Sequence, residues 1–346
     1  MHIPIKNIYY LLSYAWNKLD ESEKVNVSLD DATDLCDLFA KVLINATQIL
    51  LKRGIDRNYE DCIDEVAGVK GKLQLSQTIK ANILPRHRTI CEFNEFSANT
   101  LPNQILVSSL RVLINTQNLN KQLKKELSKL RRILSDINDI RLNSVVFSQV
   151  KLNRNNQFYG FIMNVCYLIY ESILPAEETG TFKFSDFTRD DQKMNRLFEE
   201  FVRNFYRIRQ EEFPRVKRER IEWQFENADQ AAFQYIPEMV TDITLENDLQ
   251  KIIIDTKYYR ETMAVNFGKE RVRSGNLYQL FSYLLHQRED GSLKSQNATG
   301  ILLYPTIEKD YDLDFQYGNH KILIRTVNLN ANWNDIDKRL LQIIGI

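Results

Sequence analysis

Apolar residues recur at helical spacing through the first half of the chain and at strand spacing through much of the second. Ile8, Leu11, Leu12, Ala15 and Leu19 lie on one helical stripe, which predicts a helix with Asn7 as its N-cap. Leu35, Leu38, Phe39, Val42, Leu43, Ala46 and Ile49 predict a second helix, from Asp30 or Asp31 to about Leu51. Strand-like pieces follow over residues 59–69 and 88–93, with Gly68 and Gly71 marking a turn between them. Helical spacing returns over 99–118, 119–134 and 155–174, the last ended by Pro175. The segment 175–186, with Gly180 and two threonines, reads as a linker.

Beyond it, helix and strand alternate. A helix is expected over 190–211, a strand over 220–225, two strands over 241–245 and 251–258, and a helix around Gln279. Strands at 300–304, 313–315 and 321–329 and a closing helix over 333–344 complete the pattern. The expected class is α+β: a mostly helical N-terminal domain with short strands (residues 1–175) and a C-terminal α/β domain on a mixed sheet (residues 176–346).

Charge narrows the function. The 346 residues carry 46 Lys+Arg and 46 Asp+Glu, a net charge of zero. A protein held on nucleic acid by bulk charge alone is therefore excluded, and any DNA contact must use local patches or a partner. Helix 119–134 carries Lys121, Lys124, Lys125, Lys129, Arg131 and Arg132; it reads as a solvated face, with DNA or partner contact as the other reading. Arg203, Arg207, Arg209, Arg215, Lys217, Arg218 and Arg220 form a second basic region, and Arg260, Lys269, Arg271 and Arg273 a third. Both could bind phosphates, although Glu211, Glu212 and Glu219 balance part of the second. Cys36, Cys62, Cys91 and Cys166 show no zinc spacing and no disulfide framework, and the start of the chain lacks signal-peptide features, so a cytoplasmic protein is expected. The apolar run from Ile8 to Trp16 falls far short of the ~20 residues a membrane span needs.

The chemistry concentrates in Thr241-Asp242-Ile243-Thr244-Leu245 and in Lys251-Ile252-Ile253-Ile254-Asp255-Thr256-Lys257-Tyr258-Tyr259. Side chains alternate along a strand, so Ile253, Asp255 and Lys257 share one face. Asp-x-Lys also arises by chance at solvated strand ends. Here, however, Asp255 follows an Ile run typical of a strand buried on both faces, and a carboxylate in that position needs a partner or a metal. Pairing of the two strands would bring Asp242 to the same place. Two carboxylates beside a lysine suit metal-assisted phosphodiester cleavage: the acids hold Mg²⁺, and the lysine orients water and offsets developing charge. Gln279 and Tyr283, four apart, share a face of the following helix.

Asp242, Asp255-x-Lys257 and Gln279-x-x-x-Tyr283 together resemble the PD-(D/E)xK nuclease superfamily, in the branch whose following helix carries Gln-x-x-x-Tyr. The resemblance implies catalytic roles for Asp242, Asp255, Lys257, Gln279 and Tyr283. It implies metal ligation by Asp242, Asp255 and the Thr256 carbonyl, and an added acid on the preceding helix. Glu199, which flanks the stripe of Met194, Phe198, Phe201, Val202 and Phe205, fits that last part better than Glu200; a solvated helix charge is the other reading. The superfamily's usual proline before the first Asp is replaced by Thr241. Over nearly the whole chain the sequence is also similar to the McrC family, nuclease subunits of McrBC modification-dependent restriction systems. That likeness runs through Ile3 to Trp16, Gly68-Val69-Lys70-Gly71-Lys72, Asn94 to Leu106, Asn276-Leu277-Tyr278-Gln279-Leu280 and Val327-Asn328-Leu329. It implies Mg²⁺ (or Mn²⁺) as the cofactor, double-stranded DNA as substrate, and docking on a McrB-like AAA+ GTPase hexamer. Such a ring reads methylated or hydroxymethylated cytosine, translocates DNA, and has its GTP hydrolysis stimulated by the N-terminal half. It also accounts for the lack of a Gly-x-x-x-x-Gly-Lys-[Ser/Thr] phosphate loop here. A non-catalytic activator of an AAA+ ring, and the nuclease subunit of a sequence-specific relative, are the alternatives.

Overall fold

The computed structural model describes residues 3–17, 34–152, 156, 158–175, 181–223, 234–259, 264–266, 269–287, 291–307 and 310–346. They fall into two compact units, one formed by Met1–Ser22 with Asp186–Ile346 and the other by Glu23–Ser185. The α+β expectation holds, but the division of the chain differs from the sequence expectation at both ends of the first half.

Helix α1 (Ile5–Ala15) opens the first unit. Asn7 is not its cap. Pro4 occupies that position, and Asn7 lies buried inside the helix, donating from Nδ2 to Leu329 O at 2.7 Å and Ala331 O at 2.8 Å. A buried amide satisfied this way fixes the helix to a distant loop of the same unit.

The second unit contains α2 (Leu35–Arg53), β1 (Asn58–Ala67), β2 (Lys72–Leu73), α3 (Leu75–Ala81) and β3 (Arg88–Ser97). It continues with α4 (Leu101–Ile114), α5 (Lys121–Ile133), α6 (Ser144–Ser148), α7 (Phe158–Glu171), β4 (Ile173–Pro175) and β5 (Phe182–Phe184). Asp34 caps α2, accepting from Asp37 N at 2.9 Å. Leu38 and Leu43 of α2, Ile105 and Leu110 of α4, Leu127 of α5 and Phe161 and Ile162 of α7 are all buried in the helical core. Strands β1 and β3 form a long antiparallel pair, in register from Asn58↔Ser97 to Ala67↔Arg88. Asn103 ties its base to the helices: Nδ2 donates to Asp56 O at 2.8 Å and Ala98 O at 2.7 Å, while Oδ1 accepts from Tyr159 Oη. Pro175 does not end a helix. Helix α7 stops at Glu171, and β4 pairs with β5 across the expected linker, which displaces the boundary to 185/186. Residues 176–180 of that segment lie outside the described residues.

The first unit resumes with α8 (Asp191–Arg209), β6 (Arg215–Lys217), β7 (Arg220–Ile221), β8 (Met239–Val240), β9 (Ile243–Glu246), β10 (Lys251–Thr256), and a β11 (Ala264–Asn266)–β12 (Lys269–Arg271) hairpin. Then come α9 (Ser274–Gln287), α10 (Leu293–Gln296), β13 (Thr299–Thr306), β14 (Asp312–Tyr317), β15 (His320–Asn328) and α11 (Trp333–Ile343). Residues 224–225 of the expected strand at 220–225 are outside the described residues. The main sheet runs β14-β15-β13-β10-β9-β6, with β10, β13 and β15 parallel and the rest antiparallel to their neighbours. All six residues of β10 are buried, as its Ile run predicts. Helix α9 sits close on β13 because position 300 is glycine: a Cβ there would stand 2.8 Å from Leu284 Cδ1 and 3.1 Å from Leu280 Cδ1. Helix α8 carries the stripe read from sequence, with Met194, Phe198, Phe201, Val202 and Phe205 all buried. Tyr14 of α1 closes that face, with its ring centroid 5.8 Å from Phe201, 5.5 Å from Phe205 and 5.4 Å from Trp333.

Candidate active site

Strands β9 and β10 pair antiparallel with Ile243 opposite Ile254. That register sets Asp242, just before β9, beside the end of β10. Its Oδ2 accepts from Thr256 N at 2.8 Å and Thr256 Oγ1 at 3.0 Å. Thr241, where the superfamily usually has proline, donates its N–H to Glu219 O at 2.9 Å and shares a hydroxyl–hydroxyl bond of 2.9 Å with Thr244. Proline could make neither bond.

Asp255 is fully buried. Lys257 Nζ donates to its Oδ1 at 2.8 Å and lies 3.8 Å from Asp242 Oδ2. The second Asp255 oxygen, Oδ2, is buried with no partner. Leaving such an acceptor unmet costs about 1–3 kcal/mol, more when it is charged. Burial pushes the Asp255 carboxyl up to about 7; Lys257 opposes that shift and the Asp242 charge adds to it. Burial pulls the Lys257 ammonium down, but Asp255 and Asp242 more than offset it and leave its pKa above the ordinary value. A lysine that stays charged between two acids cannot act as a base. Held charged, it can orient groups and balance charge.

Helix α9 braces the centre from one side. Gln279 Nε2 donates to Tyr283 Oη at 2.7 Å, and Tyr283 Oη donates to Val240 O at 2.9 Å, two residues before Asp242. Gln279 therefore acts through Tyr283, and Tyr283 through the backbone that aims Asp242. Glu199 of α8 is placed differently. It pairs with Arg203 at 3.1 Å and Arg218 at 3.5 Å. Burial raises its pKa, and the Asp242 charge raises it further. No group of three or more His, Cys, Asp or Glu side chains able to hold a metal occurs among the described residues. The carboxylates brought together are Asp242 and Asp255, with Glu199 as an electrostatic neighbour. Asn195, absent from the sequence reading, accepts from Tyr258 N at 2.8 Å and anchors the chain just after Lys257. Its position four residues before Glu199, on the same helical face, was the available signal.

The donor set fits a divalent cation. Two carboxylates with an unmet buried oxygen match the oxygen ligands that Mg²⁺ and Mn²⁺ prefer. Of the sequence-derived basic positions, Arg203, Arg209, Arg215, Lys217, Arg218 and Arg220 each meet a carboxylate. Arg260 lies outside the described residues, as do the side chains of Lys269 and Arg271.

A family model described as "McrBC 5-methylcytosine restriction system component" matches residues 6–305. The chain belongs to this McrBC family. It is 30% identical over 341 residues, 99% of this chain and 97% of the relative, to a protein named type IV methyl-directed restriction enzyme EcoKMcrBC from Escherichia coli strain K12. A solved half-complex of Thermococcus gammatolerans McrB AAA+ hexamers with bound McrC matches 98% of this chain and 76% of its own, with a TM-score of 0.59 and 18% identity. At that identity the likeness carries the fold alone. Within the McrBC family match lie Asp242, Asp255, Lys257, Gln279 and Tyr283, whereas β14, β15 and α11 lie beyond it. Among the described residues, no helix is long and apolar enough to cross a membrane.

Proposed function

We propose that this chain is the cytoplasmic DNA-cleaving subunit of a McrBC-type restriction complex, hydrolysing phosphodiesters at Asp242, Asp255 and Lys257. The buried, unmet Asp255 Oδ2 beside a charged lysine carries the reading. Folding gains nothing from such an atom, so its retention supports a ligand that completes it. Asp242, Asp255 and the Thr256 carbonyl would hold Mg²⁺, which when bound polarises the phosphate and lowers the pKa of water. Thr256 fixes Asp242 through two hydrogen bonds, so this carboxylate arrives pre-oriented. Lys257 holds its proton and supplies positive charge where the attacked phosphate becomes more negative. Tyr283 and Gln279 position the Asp242 segment.

The partner follows from the family and the surface. A neutral chain whose Arg203, Arg215, Lys217, Arg218 and Arg220 already meet acids leaves DNA capture to another subunit, here a McrB-like AAA+ GTPase that selects modified cytosine. The second unit supports docking, because Tyr59, Ile63, Ile79 and Phe96 are exposed on and beside its β-sheet. A purely non-catalytic activator has no use for a buried acid–lysine cluster.

The test is cleavage of cytosine-methylated DNA by the reconstituted complex with GTP. Cutting requires Mg²⁺ or Mn²⁺, and Ca²⁺ binds without turnover. Undiminished cutting after exhaustive EDTA treatment overturns the proposal.

A further inference from the structure

Arg273 immediately precedes α9, and its guanidinium carbon lies 4.2 Å from the centroid of the Tyr259 ring. Tyr259 is itself fixed, its hydroxyl donating to Asn276 Oδ1 at 3.2 Å while Asn276 Nδ2 donates to Tyr304 Oη at 3.1 Å. Tyr304 lies two residues beyond Leu302, the partner of Asp255 across the β10–β13 pair, and so shares the Leu302 face of the sheet. A ladder of fixed side chains thus leads from Asp255 to the Arg273 guanidinium.

Among the described residues, that guanidinium meets no counter-charge. Its Nε is buried with no acceptor, and no carboxylate among the described residues pairs with it. The contrast with its neighbours is chemical. Arg203, Arg215, Arg218, Arg220 and Arg325 all meet an acid. Stacking on Tyr259 removes the rotamer freedom that makes surface arginines costly to order, and it leaves the planar fork ready for an anion. The N-terminal end of α9 adds partial positive charge beside it. A phosphodiester oxygen matches the fork.

We propose that Arg273, clamped on Tyr259, binds a backbone phosphate of the DNA strand held at the Asp242–Asp255 pair. This rests on the nuclease reading above. One ion pair to phosphate contributes about one unit of salt slope and about tenfold in affinity.

The experiment measures binding of a short fluorescein-labelled methylated DNA duplex by the complex reconstituted with the ring, in Ca²⁺ across a salt series, with wild type, Arg273→Gln or Arg273→Lys as the nuclease subunit. The same proteins, with Asp255→Ala, are assayed for cleavage in the assembled complex, and all are checked by thermal melt. Arg273→Gln is expected to flatten the salt slope by about one unit. Arg273→Lys is expected to restore the slope while cutting stays about tenfold reduced, because an ammonium cannot reproduce the stacked fork. Loss of cleavage in Asp255→Ala judges the nuclease reading separately, since the salt slope does not depend on turnover. Equal slopes and affinities for complexes carrying folded wild type and folded Arg273→Gln overturn the proposal.

Discussion

Tyr14 and Tyr59 show how differently the two units spend their aromatic side chains. Tyr14 is 2% exposed, its ring set among Phe201, Phe205 and Trp333 of its own unit. Tyr59 is 69% exposed on β1, touching Phe96 across the strand pair at 5.1 Å between ring centroids. The polar groups run the other way. Among the described residues, the buried unmet atoms of the first unit belong to ionisable side chains, Glu219 Oε2, Asp255 Oδ2 and Arg273 Nε, whereas those of the second are the hydroxyls of Thr47, Thr100 and Ser172. The unit that buries unpaired charge is built to complete it with a ligand. The docking surface proposed for the second unit exposes Tyr59, Ile63, Ile79 and Phe96, and among the described residues of that unit no ionisable side chain is buried with an unmet atom.

The contrast breaks most visibly at the aromatics. Tyr14→Ala should destabilise the first unit by about 3–5 kcal/mol, because it opens a cavity among large rings. Tyr59→Ala and Phe96→Ala should leave stability within about 0.5 kcal/mol yet weaken binding to the GTPase ring by about 2 kcal/mol and blunt the rise in GTP turnover. Chemical denaturation and a titrated GTPase assay separate the two. A melted Tyr59→Ala protein, or a stable Tyr14→Ala protein that fails to bind, would reverse the roles assigned to the units.

A smaller effect comes from the helix that braces the carboxylates. Gly300→Val pushes against Leu280 and Leu284, at about 1–3 kcal/mol of overpacking. Moving α9 also shifts the Tyr283–Val240 bond, so cleavage should fall about tenfold while metal affinity changes little. Unchanged cleavage with the expected loss of stability would remove Tyr283 from the positioning role.

The last effect is a pH dependence. Asp255 in the folded chain titrates at about 7, against about 3.9 when unfolded. Between those values the unfolded chain has released its proton and the folded chain retains it. Stability of the metal-free protein therefore falls as pH rises through this window and levels off above it. Measured in EDTA, the melting temperature of wild type should drop by a few degrees relative to Asp255→Asn between pH 4.5 and 7.5. Parallel curves for the two proteins would mean that Asp255 is not held high.

The carboxylate pair was legible in the sequence because Ile252-Ile253-Ile254 announces a strand buried on both faces, and period-two alternation then places Asp255 and Lys257 together. The place of Glu199 beside the buried stripe of α8 was legible, but its ion pairs with Arg203 and Arg218 were not. The home of α1 was not: an apolar helical face shows that it will be covered, not which unit covers it, and Asn7 read as a cap because its long-range acceptors, Leu329 and Ala331, are more than 300 positions away. The segment after α7 misled for a related reason. Pro175 stops a helix in any local reading, yet proline is also at home on an edge strand, which is where β4 places it. Arg273 stood in a basic run, and nothing local in the sequence shows that it lies over the Tyr259 ring with its Nε unmet.

The account rests on Asp255, and single-turnover cleavage of methylated DNA by the reconstituted complex tests it most directly. Asp255→Ala, folded and still stimulating GTP hydrolysis by the ring, should cut at least about 10²-fold more slowly than wild type, the loss expected when several kcal/mol of transition-state stabilisation is removed. Cleavage by that variant at a rate near wild type, with GTPase stimulation intact, would contradict the assignment of the catalytic centre.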